Sequence, residues 1–186
     1  FFNADYAFKG KYLATCSLRR DKSSRFADGY NTGVFPSGSI GWIISQEDFL
    51  KNASFISLLK LRASYGLLGN QDVPRTNPYL NRYAAQQEIG FYPISGNAVS
   101  TGAVLTYLGT PDLEWETSKQ FNIGLDFGLF SNDLTFSIDI FNRDTQDMIV
   151  VDPLPTTSID AVSPLINAGE VNNRGFDISL SYGNNS

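Results

Sequence analysis

The sequence predicts an all-β fold, in which about seven antiparallel strands form one segment of a larger transmembrane β-barrel. Two observations carry this prediction: apolar and polar residues alternate strictly, and the alternation runs unusually far. Both are clearest in residues 114–150, where a turn at residues 131–133 separates two alternating arms. Each arm can continue for about ten residues or more, the span of a tilted transmembrane strand, whereas strands of soluble sandwiches usually end after about five or six.

The two arms of this hairpin place apolar side chains at every second position. These residues are Phe121, Ile123, Leu125, Phe127 and Leu129 in the first arm, and Leu134, Phe136, Ile138 and Ile140 in the second. Successive side chains of a strand point to opposite faces, so a slip of one residue would exchange the two faces of a whole arm. The register is therefore strongly specified, with one apolar face and one polar face.

The composition is that of a folded chain with many aromatic residues. Of the 186 residues, 42% are hydrophobic and 18% are charged, which argues against disorder. Aromatic residues make up 13%, mostly Phe (14) and Tyr (9), and they suit strands and the aromatic girdles of a membrane barrel. The net charge of −5, with no long basic run, argues against a nucleic-acid partner.

The residue types that carry catalysis and metal binding are scarce. The chain has no histidine and one cysteine, Cys16, which excludes a disulfide framework, the usual zinc sites and histidine-dependent nucleophilic catalysis within these residues. We interpret Cys16 as a small apolar residue on a strand face. Glu114 and Glu116 have the spacing of a glycosidase carboxylate pair, but their position at a strand start favours hydrated side chains beside an interfacial Trp115. No catalytic residue, cofactor or metal site is predicted.

The other strands are predicted from the same alternation of apolar and polar residues, and the connections lie between them. We expect strands at residues 2–8, 12–18, 34–45, 57–69 and 169–182, in addition to the central hairpin. A short helical connector is expected over residues 46–55, because Ser45 has the character of an N-cap with Asp48 three residues on. Residues 70–112 form the longest irregular segment, with a small hairpin expected at residues 99–108.

Connections of different length fall at opposite ends of the predicted sheet. The short turns at residues 9–11 and 131–133 lie at one end with the connector, whereas every long loop lies at the other end. This asymmetry is typical of bacterial outer-membrane barrels. About seven strands leave two open edges, which lipid does not tolerate, so we expect the chain to be an internal part of a longer barrel.

Charged residues within the strands predict which face lines the lumen. Lys60 and Arg62 alternate with the apolar residues of their strand, and a cation is costly in contact with lipid at mid-depth. We therefore expect both to point into the barrel, within reach of carboxylates on neighbouring strands. The predicted lumen-facing charges are Lys60, Arg62, Asp126, Asp139 and Asp177.

Four collinear stretches carry a more specific signal. They are DKSSRFADGYNTGVFPSGSIGWIISQEDF (21–49), LLKLRASYGLLGNQ (58–71), PDLEWETSKQFNIGLDFGLFSNDLTFSIDIFNRDTQDMIV (111–150) and NAGEVNNRGFDISLSY (167–182). Together they resemble the barrel of SusC/RagA-type TonB-dependent transporters of Bacteroidetes, and the resemblance covers residues 12–182.

The resemblance implies a barrel of about 22 strands in the outer membrane of a Gram-negative bacterium, filled by a plug and capped by a SusD-like surface lipoprotein. Such a transporter imports oligosaccharides or peptides with energy from the TonB complex. The plug, the TonB box and the terminal strand of the family have no counterpart here, so residues 1–186 are expected to be part of the barrel domain alone.

The aromatic residues of the long loop are candidates for contact with a substrate or with this lid. They are Tyr79, Tyr83, Phe91, Tyr92 and Tyr107. Aromatic rings stack on sugars and grip peptides, but they also pack within a loop or against a lid subunit. The sequence leaves these alternatives open.

A soluble β-rich carbohydrate-binding or adhesion domain is the alternative to a transport barrel. In such a domain the apolar faces of the central hairpin would pack on a second sheet, whereas in a barrel they would meet lipid and leave a polar interior. The polar faces that carry Asp126, Asp139 and Asp177 favour the hydrated lumen of a barrel.

Overall fold

The computed structural model describes residues 1–85, 91–95, 98–153 and 161–183, which form antiparallel sheets. The strands are β1 (Phe2–Phe8), β2 (Tyr12–Lys22), β3 (Thr32–Ile43), β4 (Ile56–Asn70), β5 (Arg82–Ala85), β6 (Phe91–Ser95), β7 (Ala98–Thr101), β8 (Ala103–Tyr107), β9 (Glu116–Leu129), β10 (Leu134–Val151) and β11 (Leu165–Tyr182). Seven of them form the main sheet in the order β1-β2-β3-β4-β9-β10-β11. In the described part of the chain, no helix combines the length and the apolarity needed to cross a membrane.

The predicted all-β, antiparallel fold is confirmed, and the central hairpin is β9 and β10. Leu129 pairs with Leu134, and the turn between them carries three consecutive residues with positive φ, from Phe130 to Asn132. β11 begins at Leu165, four residues before the predicted start. The strand is longer because Leu165 and Ile166 pair with Val151 and Val150 beyond a break in the β10 register.

Two local predictions are wrong. The connector at residues 46–55 is a 3₁₀ turn at Ile44–Gln46 followed by a series of turns, and no side chain caps it. The expected hairpin at residues 99–108 does not form, because β8 pairs with β5 and β7 pairs with β6. In both places the local pattern was too short to determine which partner the backbone would choose.

The register brings the apolar residues of all seven strands onto one face, which we call the apolar strip. One row across the sheet contains Tyr6, Ala14, Ile40, Ala63, Ile123, Ile140 and Phe176. The next row contains Phe8, Tyr12, Trp42, Leu61, Leu125, Ile138 and Ile178. Many of these side chains are exposed in this single layer, up to 70% for Phe176. A surface of this kind requires an apolar environment.

The apolar strip crosses the strands obliquely. Tyr12 begins the strip on β2 and is level with Ile138 on β10, yet the strip on β10 continues four residues further, to Leu134. At the other edge, Cys16 is level with Asn142, where β10 is already polar. The strip therefore shifts by about 13 Å along the strand direction over a width of about 19 Å between β2 and β10. The resulting inclination of about 35° is the tilt of strands in membrane barrels.

A polar clamp joins the short connections at one end of the sheet. The Glu47 carboxylate accepts hydrogen bonds from Lys11 Nζ (2.9 Å), the Tyr12 hydroxyl (2.8 Å) and Trp42 Nε1 (3.1 Å). These donors, with the Lys11 ammonium first, lower the pKa of Glu47 to about 2. The Tyr12 and Trp42 rings stack with their centroids 6.3 Å apart. The clamp therefore fixes the β1–β2 turn to the connector that follows β3.

The buried core lies at the opposite end, where the long loops meet the strands. Its members are Phe26, Phe35, Val73, Leu113, Trp115 and Leu165, with Ile149 packed against them. Trp115 is 7% exposed, so its predicted interfacial position is wrong. Its ring contacts Phe26 and Phe35 with centroids 5.3 and 5.5 Å away, because the loops fold over the sheet end rather than leaving it open.

The two faces of β9 should tolerate charge very differently. Ile123 lies in the middle of the apolar strip and Asn122 lies on the opposite face. In the full-length protein, Ile123→Arg should impair barrel assembly by roughly 2–4 kcal/mol, whereas the matched change Asn122→Arg should fold well. Heat-modifiable migration on gels measures assembly, and equal migration of the two variants would contradict the assigned faces.

The clamp at Glu47 should make the stability of the folded protein depend on pH in the acidic range. Because the folded pKa is about 2 and the ordinary value is 4.5, the clamp stabilises the fold above pH 4.5 and stops doing so as the pH falls towards 2. In denaturant unfolding experiments in detergent, the full-length protein should lose part of its stability over this pH range. Glu47→Gln should abolish this pH-dependent part of the stability. Asp48→Asn is the control: the pKa of Asp48 is also lowered, mainly by the exposed Lys51, and this change should leave the contribution of Glu47 in place. An unchanged pH profile in Glu47→Gln would exclude the clamp.

Candidate functional site on the polar face and at the loop end

A charged cluster joins three strands on the face opposite the apolar strip. Arg62 on β4 donates from Nε to Asp126 Oδ2 on β9 at 3.1 Å and from Nη2 to Asp139 Oδ2 on β10 at 2.6 Å. The three side chains are about one-third exposed or less, so the ion pairs are only partly screened by water. This cluster fixes the strands laterally and makes this face hydrophilic.

Gly124 provides the space that the guanidinium occupies. It lies between Arg62 and Asp139 in the register, and a Cβ added to it would lie 2.6 Å from Arg62 Cζ and 2.6 Å from Asp139 Oδ1. A side chain at this position would therefore displace one of the charged groups. The glycine is part of the ion-pair geometry.

The other two predicted lumen-facing charges lie beside this cluster. Lys60 is level with Asp126, and Asp177 is level with Asp139. Among the described residues neither takes part in an ion pair. The structure thus brings all five predicted charges onto one face and connects three of them directly.

A trough of about 580 Å³ with a mixed polar and apolar lining lies on this face between the charged cluster and the loops. Its lining includes Ser17, Ser37, Ser39, Ser64, Gln120 and Trp115. Hydroxyl and amide groups both donate and accept hydrogen bonds, so such a lining suits polar solutes of either charge.

The long loop is organised around Tyr107. This ring is 4% exposed, its hydroxyl donates to Pro78 O at 3.1 Å, and the guanidinium carbons of Arg75 and Arg82 lie 4.7 and 5.9 Å from its centre. Tyr107 therefore has almost no surface left for a substrate or a lid in this conformation. Its pairing with two arginines escaped prediction, because residues about 25–30 positions apart in a loop share no periodicity.

The other predicted loop aromatics occupy different positions. Tyr79 is half-buried, and Tyr83 on β5 is 64% exposed. Phe91 and Tyr92 begin β6, where their backbones pair with β7, but their side chains lie outside the described part of the structure. Contact of these residues with a substrate or a lid stays a prediction.

Backbone contacts hold this part of the loop in place. Thr110 N donates to Pro78 O at 3.0 Å, and Val162 N donates to Thr106 O at 2.9 Å. Gly109 allows the close approach, since an added Cβ would lie 2.5 Å from the carbonyl carbon of Leu80. The segment is thus ordered through distant contacts, although its sequence is irregular.

The charged cluster should contribute measurably to stability. Arg62→Leu leaves two carboxylates without their cation, which should cost about 1–2 kcal/mol; a fully buried pair would cost more, but Arg62 is 36% exposed. Gly124→Ala should also destabilise, by displacing the guanidinium. Lys60→Leu is the matched control and should change little. Denaturant unfolding of the full-length protein checks this, and equal effects of Arg62→Leu and Lys60→Leu would contradict it.

Comparisons with known proteins agree on one family. A family model described as TonB dependent receptor-like, beta-barrel, matches residues 1–185. The chain is 38% identical over 186 residues to TonB-dependent receptor P3 of Formosa agariphila, covering 99% of this chain and 18% of that protein. It is 33% identical over 181 residues to TonB-dependent receptor SusC of Bacteroides thetaiotaomicron, covering 97% of this chain and 18% of that protein.

A solved structure gives the same result. The structure of the RagAB peptide transporter is similar to 96% of this chain with a TM-score of 0.80 and 31% identity, over 19% of that chain. The chain therefore spans about a fifth of the length of the relatives it matches. These comparisons confirm the resemblance seen in the sequence, and the chain belongs to the TonB-dependent receptor-like β-barrel family.

Proposed function

We propose that this chain is part of the wall of an outer-membrane importer that brings oligosaccharides or peptides into a Gram-negative cell. One observation carries the proposal: all seven strands of the main sheet share one apolar face, while the opposite face carries paired charges and a trough lined by hydroxyl and amide groups together with aromatic side chains. A wall between lipid and a hydrated passage needs these two faces.

The proposal places each face and each end of the sheet relative to the membrane. The apolar strip faces the lipid of the outer membrane, and Lys60, Arg62, Asp126, Asp139 and Asp177 face the lumen. The end with the long loops lies outside the cell, since outer-membrane barrels carry their long loops there. The Glu47 clamp then lies at the periplasmic end, where its aromatic neighbours Tyr12 and Trp42 match an interfacial girdle.

The partners follow from the family and from the exposed loop surface. A SusD-like lipoprotein covers the loop end, and the TonB complex supplies energy through a part of the transporter that lies outside this chain. The related RagAB structure is that of a peptide transporter, which supports peptides as one substrate class. Oligosaccharides are the other class that the family resemblance of the sequence implies. The family is one of transporters and receptors, and we propose no catalytic role and no cofactor.

The loop aromatics divide into contact residues and a support. Tyr83 is exposed and Tyr79 is half-buried, so these two contact the substrate or the lipoprotein, together with Phe91 and Tyr92. Tyr107 supports them from within the loop through its hydrogen bond to Pro78.

A soluble carbohydrate-binding or adhesion domain is the weaker explanation. In such a domain a second sheet would have to cover the apolar strip. In the described part of the chain the strip lies bare, with Ile40, Phe176 and Leu180 each at least 65% exposed.

Substitutions in the long loop should distinguish contact with the substrate from contact with the lipoprotein. In the full-length transporter, Tyr83→Ala should weaken substrate binding or lipoprotein recovery by about 1 kcal/mol, or roughly fivefold, because an exposed ring loses its contact. Tyr30→Ala, another exposed loop tyrosine, is the control and should do neither. Growth on the substrate and co-purification of the lipoprotein measure the two effects. Normal uptake and normal recovery after trimming residues 78–100 would exclude a contact role for this loop.

A further inference from the structure

The loop end carries an unusual pair of cations on one aromatic ring. The guanidinium carbons of Arg75 and Arg82 both lie within 6 Å of the centre of the Tyr107 ring, at 4.7 and 5.9 Å. Both positions are within the range of a cation–π contact. The ring thus brings two positive charges to one aromatic side chain, and their mutual repulsion favours an anion beside them.

To the residues that the structure describes, each of the two guanidinium groups donates one hydrogen bond. Arg75 Nη1 donates to Ser163 O at 3.2 Å, and Arg82 Nη2 donates to Thr76 O. A guanidinium has five N–H donors in a planar fork that matches the two oxygens of a carboxylate. One carbonyl each orients the groups and leaves the fork available.

No carboxylate of the described residues neutralises this pair. Two other loop-end arginines have such a partner: Arg25 Nη1 lies 3.5 Å from Asp72 Oδ1, and Arg19 Nε lies 2.6 Å from Asp21 Oδ2. Within 4.0 Å of Arg75 and Arg82, the part of the chain that the structure describes contains no acidic oxygen. Within the described residues, the two arginines therefore differ from Arg19 and Arg25 in having no carboxylate partner.

The backbone around the pair is fixed before any ligand arrives. Thr106 Oγ1 donates to Arg82 O at 3.1 Å, Gly109 N donates to Asn81 Oδ1 at 2.8 Å, and Tyr107 forms an isolated bridge with Val162. An ordered site loses less conformational entropy when it binds a ligand than a free loop does.

We propose that Arg75 and Arg82, seated on Tyr107, form an anion site that binds a carboxylate of the imported substrate. The proposal rests on the proposed function and deepens it, since it makes the preferred substrates acidic. The carboxylate belongs either to an acidic sugar or to a peptide, and both present the same pair of oxygens to the guanidinium fork.

Binding to the purified full-length transporter in detergent tests the site directly. Two pairs of probes are used: trigalacturonate with its methyl ester, and an acidic tetrapeptide with its fully amidated form. In at least one pair the carboxylated probe should bind more tightly than its neutral form. Arg75→Gln and Arg82→Gln should each weaken that binding about tenfold, and added salt should weaken it further. The pair that responds identifies the source of the carboxylate.

Three control variants separate the site from the order of the loop. Arg25→Gln removes an arginine that also donates to a loop carbonyl, Val73 O at 2.9 Å, and should leave binding unchanged. Tyr107→Phe keeps the ring and loses the hydrogen bond to Pro78, and should keep most of the binding. Arg82→Lys keeps the charge and should lose less than Arg82→Gln. Equal losses in all of these variants would overturn the proposal, because they would report loop disorder.

Other outcomes would also overturn the site. Equal binding of charged and neutral probes would do so, as would unchanged binding in Arg75→Gln and Arg82→Gln. Glu88 and Asp160 lie outside the described residues, and tighter probe binding in Glu88→Gln or Asp160→Asn would show that an acid of the chain occupies the site. Uptake by cells is measured separately. Arginine-dependent binding without uptake contradicts the import function alone, whereas normal uptake with arginine-independent binding contradicts the site alone.

Discussion

A single-layer sheet with one apolar face cannot remain in water, and this constraint shapes the rest of the chain. Phe176 and Leu180 are 70% and 68% exposed, and the described residues place no second layer over them. Each square ångström of apolar surface left in water costs about 25 cal/mol, so seven strands require another environment. Lipid on this face supplies it, and the strand charges at the level of the strip, such as Arg62, Asp126 and Asp139, lie on the opposite face.

The strands and their faces could be predicted from the sequence because they depend on local alternation. Phe121 and Ile123 are two residues apart, and that spacing alone puts them on one face of β9. The long loop could not be predicted in this way. Its order depends on contacts such as Arg75 with Ser163, 88 residues away, and the hydroxyl of Tyr107 with Pro78, 29 residues away. No periodicity connects such positions.

The polar face was predictable in its charges and not in its geometry. Arg62 had to avoid lipid, which predicts its face, and carboxylates on neighbouring strands were its natural partners. Gly124, however, appeared in the sequence only as another small residue in a polar alternation. Its importance depends on lying between Arg62 and Asp139 across three strands, where an added Cβ would meet both. Trp115 shows the same limit, since the loops that bury it come from distant parts of the chain.

The buried core at the loop end connects the proposed anion site to the barrel wall. Val73 belongs to that core and lies two residues before Arg75, while Trp115 and Leu165 in the same core stand at the starts of β9 and β11. The core thereby holds the base of the long loop against the starts of β9 and β11. The entropy cost of ordering Arg75 is met when the chain folds, not when a ligand binds. A substrate carboxylate at Arg75 would therefore meet a side chain whose loop is tied to the same core as Trp115, and Trp115 also lines the trough on the lumen-facing side of the sheet.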